Sequence, residues 1–186
     1  MTEKEKSKKG LLYNANYDEE LKNERSTCKI LCQEYNEIKY SQSEKRNQLI
    51  RQLFNKTKNN FLIEPSFWCD YGYNIEIGEN FYSNHNLVIL DAVEVKFGDN
   101  VFIGPNCGFY TAGHPINAKQ RNEGLEYAKP ITIGNNIWLG GNVAVMPGIT
   151  IGDNTIIGAG SVVTKNIPGN VIAVGNPCKV LKEITE

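Results

Sequence analysis

Residues Ile131–Asn166, cut in sixes, read ITIGNN, IWLGGN, VAVMPG, ITIGDN, TIIGAG and SVVTKN. The third place of every unit is aliphatic: Ile133, Leu139, Val145, Ile151, Ile157 and Val163. The first place is β-branched or small: Ile131, Ile137, Val143, Ile149, Thr155 and Ser161. Places four to six are crowded with Gly and Asn. Two side chains per unit pointing into a narrow interior, then a turn tolerant of positive φ, is the pattern of a parallel β-helix. Three units close one triangular coil, so these 36 residues make two coils stacked at the strand spacing of about 4.8 Å.

Upstream, the same pattern runs through IEIGEN from Ile75, FYSNHN from Phe81 and LVILDA from Leu87. Two extra residues follow, then VKFGDN from Val95, VFIGPN from Val101 and CGFYTA from Cys107. The rhythm stops there and resumes only at Ile131. Between them lies GHPINAKQRNEGLEYAKP, Gly113–Pro130, polar and turn-rich. An insertion at a coil corner becomes a loop on one face of a solenoid, often the binding face. The first 60 residues read as helical. Leu21, Cys28, Leu31, Cys32 and Tyr35 recur at helical steps; a second helix opens with a Ser41/Glu44 capping box and puts Leu49, Ile50, Leu53 and Phe54 on one face. The expected division is a helical segment over 1–60, acting as a cap or packing arm, and a β-helix over 61–186 with its inserted loop at 113–130 and a C-terminal capping segment.

Composition excludes several classes. Twenty Lys+Arg against 21 Asp+Glu leave a net charge of −1, with no basic footprint for nucleic acid. No apolar run has the length of a membrane span, and MTEKEKSKKG at the start lacks the apolar stretch of a secretory signal. Five cysteines without a CxxC pair suggest neither a disulfide framework nor a zinc site, and free thiols fit a reducing, cytoplasmic setting. Only His85 and His114 are present, so a three-imidazole metal site cannot be built within the chain, and no metal is expected.

The stretches TAGHPINAKQRNEG, KPITIGNNIWLGGNVAVMPGITIGDNTIIGAGSVVTKNIPGN, VGNPCKV and CDYGYNIEIGENFYSNHNLVILD resemble the maltose and galactoside O-acetyltransferases. GLLYNANYDEEL extends the likeness more loosely, and it is weakest over 20–60. The resemblance implies a left-handed parallel β-helix of hexapeptide repeats with an N-terminal helical arm and an inserted loop. It further implies a homotrimer with active sites between subunits, acetyl-CoA as co-substrate, and transfer of acetyl to a hydroxyl of a sugar or similar small acceptor.

His114 matches the family's catalytic histidine. A hydroxyl is a poor nucleophile until a base takes its proton, and imidazole suits that task near neutral pH. Asn84 and Asp70 match acceptor-side positions; Asp18 and Glu126 are further acceptor-side candidates. On the donor side the matching positions are Trp138, Gly141, Ala159 and Thr164, where small residues let backbone approach the pantetheine arm. Gly141 and neighbouring amides are placed to stabilise an oxyanion. Lys165, Lys179 and Lys182 stand where the family often has basic residues, facing the coenzyme's phosphates. Lysine there gives a point charge without arginine's bidentate fork.

Plainer readings stand beside these: a loop histidine capping a turn, a turn asparagine, a helix or coil cap for Asp70, solvated lysines, and Trp138 at an oligomer seam. His85 reads as a turn or groove residue. A hexapeptide N-acetyltransferase of an amino sugar or antibiotic and a non-catalytic assembly protein are the competing functions. A metal hydrase on this scaffold conflicts with the histidine count.

Overall fold

The computed structural model describes residues 1–185. Three parallel sheets wrap a prism. The first face stacks Phe61–Ile63, Phe81–Ser83, Val101–Ile103, Ile137–Leu139, Thr155–Ile157 and Val171–Val174. The second stacks Phe67–Cys69, Leu87–Leu90, Gly108–Tyr110, Ala144–Val145 and Val162–Val163. The third stacks Ile75–Glu76, Val95–Phe97, Ile131–Ile133 and Thr150–Ile151. The strands pair in register from coil to coil, as in Ile137 with Val101 and with Thr155. The chain therefore turns three corners per coil: the first between faces one and two, the second between two and three, the third between three and one.

The interior is the first and third places of the repeat. Ile131, Ile133, Ile137, Leu139, Val143, Val145, Ile149, Ile151, Ile157 and Val163 are all buried. Thr155 and Ser161 are buried too, and their hydroxyls donate to the carbonyls of Pro168 (3.1 Å) and Gly158 (2.6 Å). Earlier coils fill the interior with rings; Phe97 packs edge-on between Phe81 and Phe109, with centroids 5.1 and 4.9 Å apart. At the third corner Asn80, Asn100, Asn136, Asn154 and Asn170 take positive φ, tolerated by a short polar side chain. Their amides form ladders up the corner: Asn60 donates to Asn80, Asn80 to Asn100, Asn100 to Asn136. Gly78 beside this ladder has no room for a side chain, since a Cβ would sit 2.2 Å from the Gly98 carbonyl oxygen.

The solenoid begins at Phe61, earlier than the first repeat readable in the sequence. Phe61, Phe81 and the Val101 strand stack at twenty-residue intervals, whereas Ile137 and Thr155 are eighteen apart. The two extra residues of the upper coils lie at the second corner, and the Gly113–Pro130 insertion enlarges the same corner one coil further on. That insertion is ordered. Ala112–Gly113 pairs antiparallel with Tyr127–Ala128, a helical turn at Ala118–Asn122 forms the tip, and Tyr13–Asn14 from the N-terminal arm adds a third antiparallel strand against Leu125–Glu126.

Three N-terminal helices pack against the upper coils: α1 (Glu3–Lys8), α2 (Glu19–Glu37) and α3 (Ser43–Leu53). Tyr35 of α2 and Phe54 just after α3 pack edge-on against Phe67 of the first coil. The expected Ser41/Glu44 capping box does not form; α3 starts from Gln42 with no side-chain cap. Tertiary contacts fix its entry instead: the Arg46 guanidinium lies 4.8 Å from the Tyr40 ring centre, and the Tyr40 hydroxyl donates to Glu64. A capping box does form at Thr2/Glu5, ahead of α1. At the other end Lys179–Glu183 folds back antiparallel on Val171–Val174. Among the described residues no helix is long and apolar enough to cross a membrane.

Candidate functional site

The enlarged second corner holds a cleft of about 160 Å³ whose wall includes Tyr13, Arg25, Lys29, Asp70, Tyr71 and Glu126. Asp70 comes from the second corner of the first coil, directly after the Phe67–Cys69 strand, Glu126 from the insertion, and Arg25 and Lys29 from successive turns of α2. Burial pushes the Asp70 carboxyl above its ordinary range, against the pull of Lys29 and Arg25. The Tyr13 hydroxyl donates to Glu126 at 3.0 Å; burial, then the charge of Glu126, pushes that phenol up. Arg25 is tied down at both ends, donating to the Tyr71 hydroxyl (2.7 Å) and the Ala15 carbonyl (2.6 Å).

Asp91 supports this wall from inside. One carboxylate oxygen accepts the backbone N–H groups of both Asp70 and Tyr71, at 2.9 Å each. The other oxygen has no hydrogen-bond partner among the described residues. The side chain is fully buried, and burial pushes its carboxyl up to about 7 despite the two amides.

His114 follows the Ala112–Gly113 strand and is exposed. Its Nδ1 lies 3.2 Å from the Leu125 carbonyl, the residue before Glu126. A neutral ring donating from Nδ1 to that carbonyl carries its lone pair on Nε2. Gly113 lets the hairpin close beside the ring: a Cβ there would sit 2.4 Å from the Tyr127 hydroxyl. Glu126 and Tyr13 thus belong to one small antiparallel sheet at the second corner, and His114 directly follows one of its strands.

The remaining sequence candidates lie elsewhere. Asn84 is at the first corner of the second coil, where its side-chain oxygen accepts the His85 N–H at 2.7 Å. His85 is exposed, with Nδ1 against the Pro65 carbonyl. Gly141 and Ala159 occupy that same first corner in the fourth and fifth coils. Trp138, on the first face, is 58% exposed and stacks in register between Phe102 and Ile156. Thr164 and Lys165 are exposed at the second corner of the fifth coil, and Lys179 and Lys182 on the terminal hairpin strand. Asp18 is the N-cap of α2, accepting the Leu21 N–H at 3.0 Å, and is not part of the cleft wall.

A single chain therefore brings Asp70, Glu126 and the strand before His114 to the second corner, and holds Asn84, Gly141 and Ala159 at the first corner with Trp138 on the adjoining first face. Tyr13, Arg25, Lys29 and Tyr71 were absent from the sequence reading. The i, i+4 cationic pair Arg25/Lys29 is its one local signal, and only the docking of α2 makes it part of a site.

The comparisons agree with this architecture. The maltose acetyltransferase hexapeptide capping motif matches residues 6–58, and the bacterial transferase hexapeptide (six repeats) matches residues 130–165. The crystal structure of a maltose O-acetyltransferase from Clostridium difficile superposes with a TM-score of 0.97 at 52% identity, covering 100% of this chain and 99% of that one. A galactoside acetyltransferase in complex with coenzyme A gives 0.96 at 46% identity, over 100% and 92%. The galactoside O-acetyltransferase of Escherichia coli is 49% identical over 158 residues, 85% of this chain and 78% of its own length. With relatives this similar along nearly the whole chain, and with the capping helices and the repeat each matched separately, the protein is an acetyltransferase belonging to the maltose and galactoside O-acetyltransferase family.

Proposed function

We propose that the enzyme moves the acetyl group of acetyl-CoA to a hydroxyl of a sugar or similar small acceptor, with His114 as general base, at seams between three identical subunits. The observation that carries this reading is the Nδ1 contact of His114 with the Leu125 carbonyl: a ring that donates there keeps its lone pair on Nε2, and Leu125 adjoins Glu126 of the cleft wall. Nε2 takes the hydroxyl proton as the acceptor oxygen attacks the thioester carbonyl. The same imidazolium then returns that proton to the departing thiolate. Asp70 and Glu126 accept hydrogen bonds from other hydroxyls of the acceptor, while Arg25 and Lys29 donate. Those two cations also balance the two carboxylates, so the cleft lacks the net negative charge that would draw in an ammonium acceptor. This favours hydroxyl over amine.

On the donor side Gly141, Ala159 and Thr164 present small surfaces to the pantetheine arm, Trp138 packs beside it, and Lys165, Lys179 and Lys182 face the phosphates. Acetyl-CoA supplies the activated acyl group; the chain binds it, orients it and moves the proton. The candidate residues sit on different edges of one prism: Asn84, Gly141 and Ala159 at the first corner, and Asp70, His114, Glu126, Thr164 and Lys165 at the second. A head-to-tail contact sets the first corner of one copy, with Asn84, Gly141 and Ala159, against the second corner of the next, with His114. Three such contacts close a ring. An outward stripe of Tyr82, Phe102, Trp138 and Ile156, in register across four coils, offers apolar surface for those contacts.

The test is thiol release from acetyl-CoA across matched alkyl glycosides and amino sugars, with His114→Ala alongside. Release that requires a hydroxyl acceptor and collapses in the variant is the expected result. Release with amines alone overturns the acceptor assignment, and full activity in His114→Ala overturns the base.

A further inference from the structure

Behind the acceptor wall, the molecule gathers three thiols. Cys28 and Cys32 lie one turn apart on the inner face of α2, and Cys69 ends the Phe67–Cys69 strand of the first coil. The Cys69 sulfur is 3.4 Å from that of Cys28 and 3.7 Å from that of Cys32, and all three fall within 4.8 Å of one another. All three are free thiols and buried. The helical i, i+4 step aligns two of them, and the docking of α2 on the solenoid delivers the third.

The spacing selects an occupant. A tetrahedral zinc-class ion with metal–sulfur bonds of about 2.3 Å sets its sulfurs about 3.8 Å apart. The two separations from Cys69, 3.4 and 3.7 Å, need open by only a few tenths of an ångström. A surface cleft of about 260 Å³ has Cys28 in its wall, together with Glu24, Tyr71 and Tyr73. Of the three thiols Cys28 alone lies in that wall, so an ion and its water would enter from its side.

We propose that Cys28, Cys32 and Cys69 form a trithiolate site for a zinc-class divalent cation, completed by water from this cleft, that ties the helical arm to the first coil. Binding releases the three thiol protons to solvent and changes no oxidation state. Three thiolates on a dication leave one net negative charge, a smaller burden in a buried site than a monovalent ion would leave. Its role is structural: acetyl transfer does not pass through it, although Cys69 adjoins Asp70 and the site borders the acceptor wall.

The experiment titrates the full-length, reduced protein anaerobically with Co(II), then with Zn(II). One equivalent of Co(II) is expected to give thiolate-to-cobalt charge-transfer and tetrahedral d–d bands, which Zn(II) displaces, and the metal should raise the thermal midpoint. Cys69→Ser and Cys32→Ala should each weaken binding at least tenfold, whereas Cys107→Ala with Cys178→Ala should leave it unchanged. X-ray absorption on the zinc-loaded wild type, expected to count three sulfurs, decides the matter even where a cysteine variant misfolds. Absence of tetrahedral bands, bands that survive Cys69→Ser, or a Cys28–Cys69 disulfide forming in air while the reduced protein takes no metal would each overturn the proposal.

Discussion

In the proposed mechanism the Leu125 carbonyl does for His114 what a carboxylate does in other histidine bases: a ring that donates to it from Nδ1 keeps Nε2 as the basic nitrogen. Removing the ring removes the base but leaves the cleft, so His114→Ala should lower kcat by about 10²–10⁴-fold with little change in the KM for acetyl-CoA. Steady-state kinetics at saturating acceptor measure this. Asp91 gives a second residue-scale expectation. Its carboxyl is raised to about 7 by burial, so between about pH 4 and pH 7 the native state holds a proton the unfolded chain has released. Stability therefore falls as pH rises across that window. Asp91→Asn keeps an oxygen for the Asp70 and Tyr71 amides without the buried charge. Urea unfolding at pH 4.5 and pH 8 should show the variant gaining on wild type at the higher pH, by about 3 kcal/mol.

At the scale of elements, the strict third-place aliphatics made the lower coils legible, because each is a place where only an apolar side chain fills the prism. Ile151→Ala should accordingly cost about 2–5 kcal/mol in unfolding free energy, read by denaturant titration. The first coil was harder to see, since its two extra residues at Asp70–Asn74 break the six-residue step. The insertion read as a polar loop because its strand Leu125–Ala128 finds partners in Ala112–Gly113 and in Tyr13–Asn14, the latter more than a hundred residues away. No local pattern announces such a pairing. The same holds for Ser41 and Glu44, whose spacing fits a capping box that the Tyr40–Arg46 and Tyr40–Glu64 contacts override. Asp18, by contrast, caps α2 directly, and Asp18→Ala should lower stability by about 1 kcal/mol, visible as a fall in the thermal midpoint.

For the whole molecule, the prism explains why the candidate site was only partly legible. His114, Asp70 and Asn84 were readable through their matched surroundings, but nothing in the chain's order says that Asn84 and His114 occupy different corners. Likewise Cys28, Cys32 and Cys69 carry no metal-site spacing along the sequence, and become a cluster only when a helix lies on a coil. The two-corner arrangement makes the central claim testable by subunit mixing. His114→Ala and Asn84→Ala, each expected to be nearly inactive alone, are to be unfolded, mixed in equal amounts, refolded and assayed for thiol release. In a head-to-tail ring about one seam in four then combines both intact corners, so activity should return to about a quarter of wild type. Mixtures no more active than the separate variants would contradict a site shared between copies.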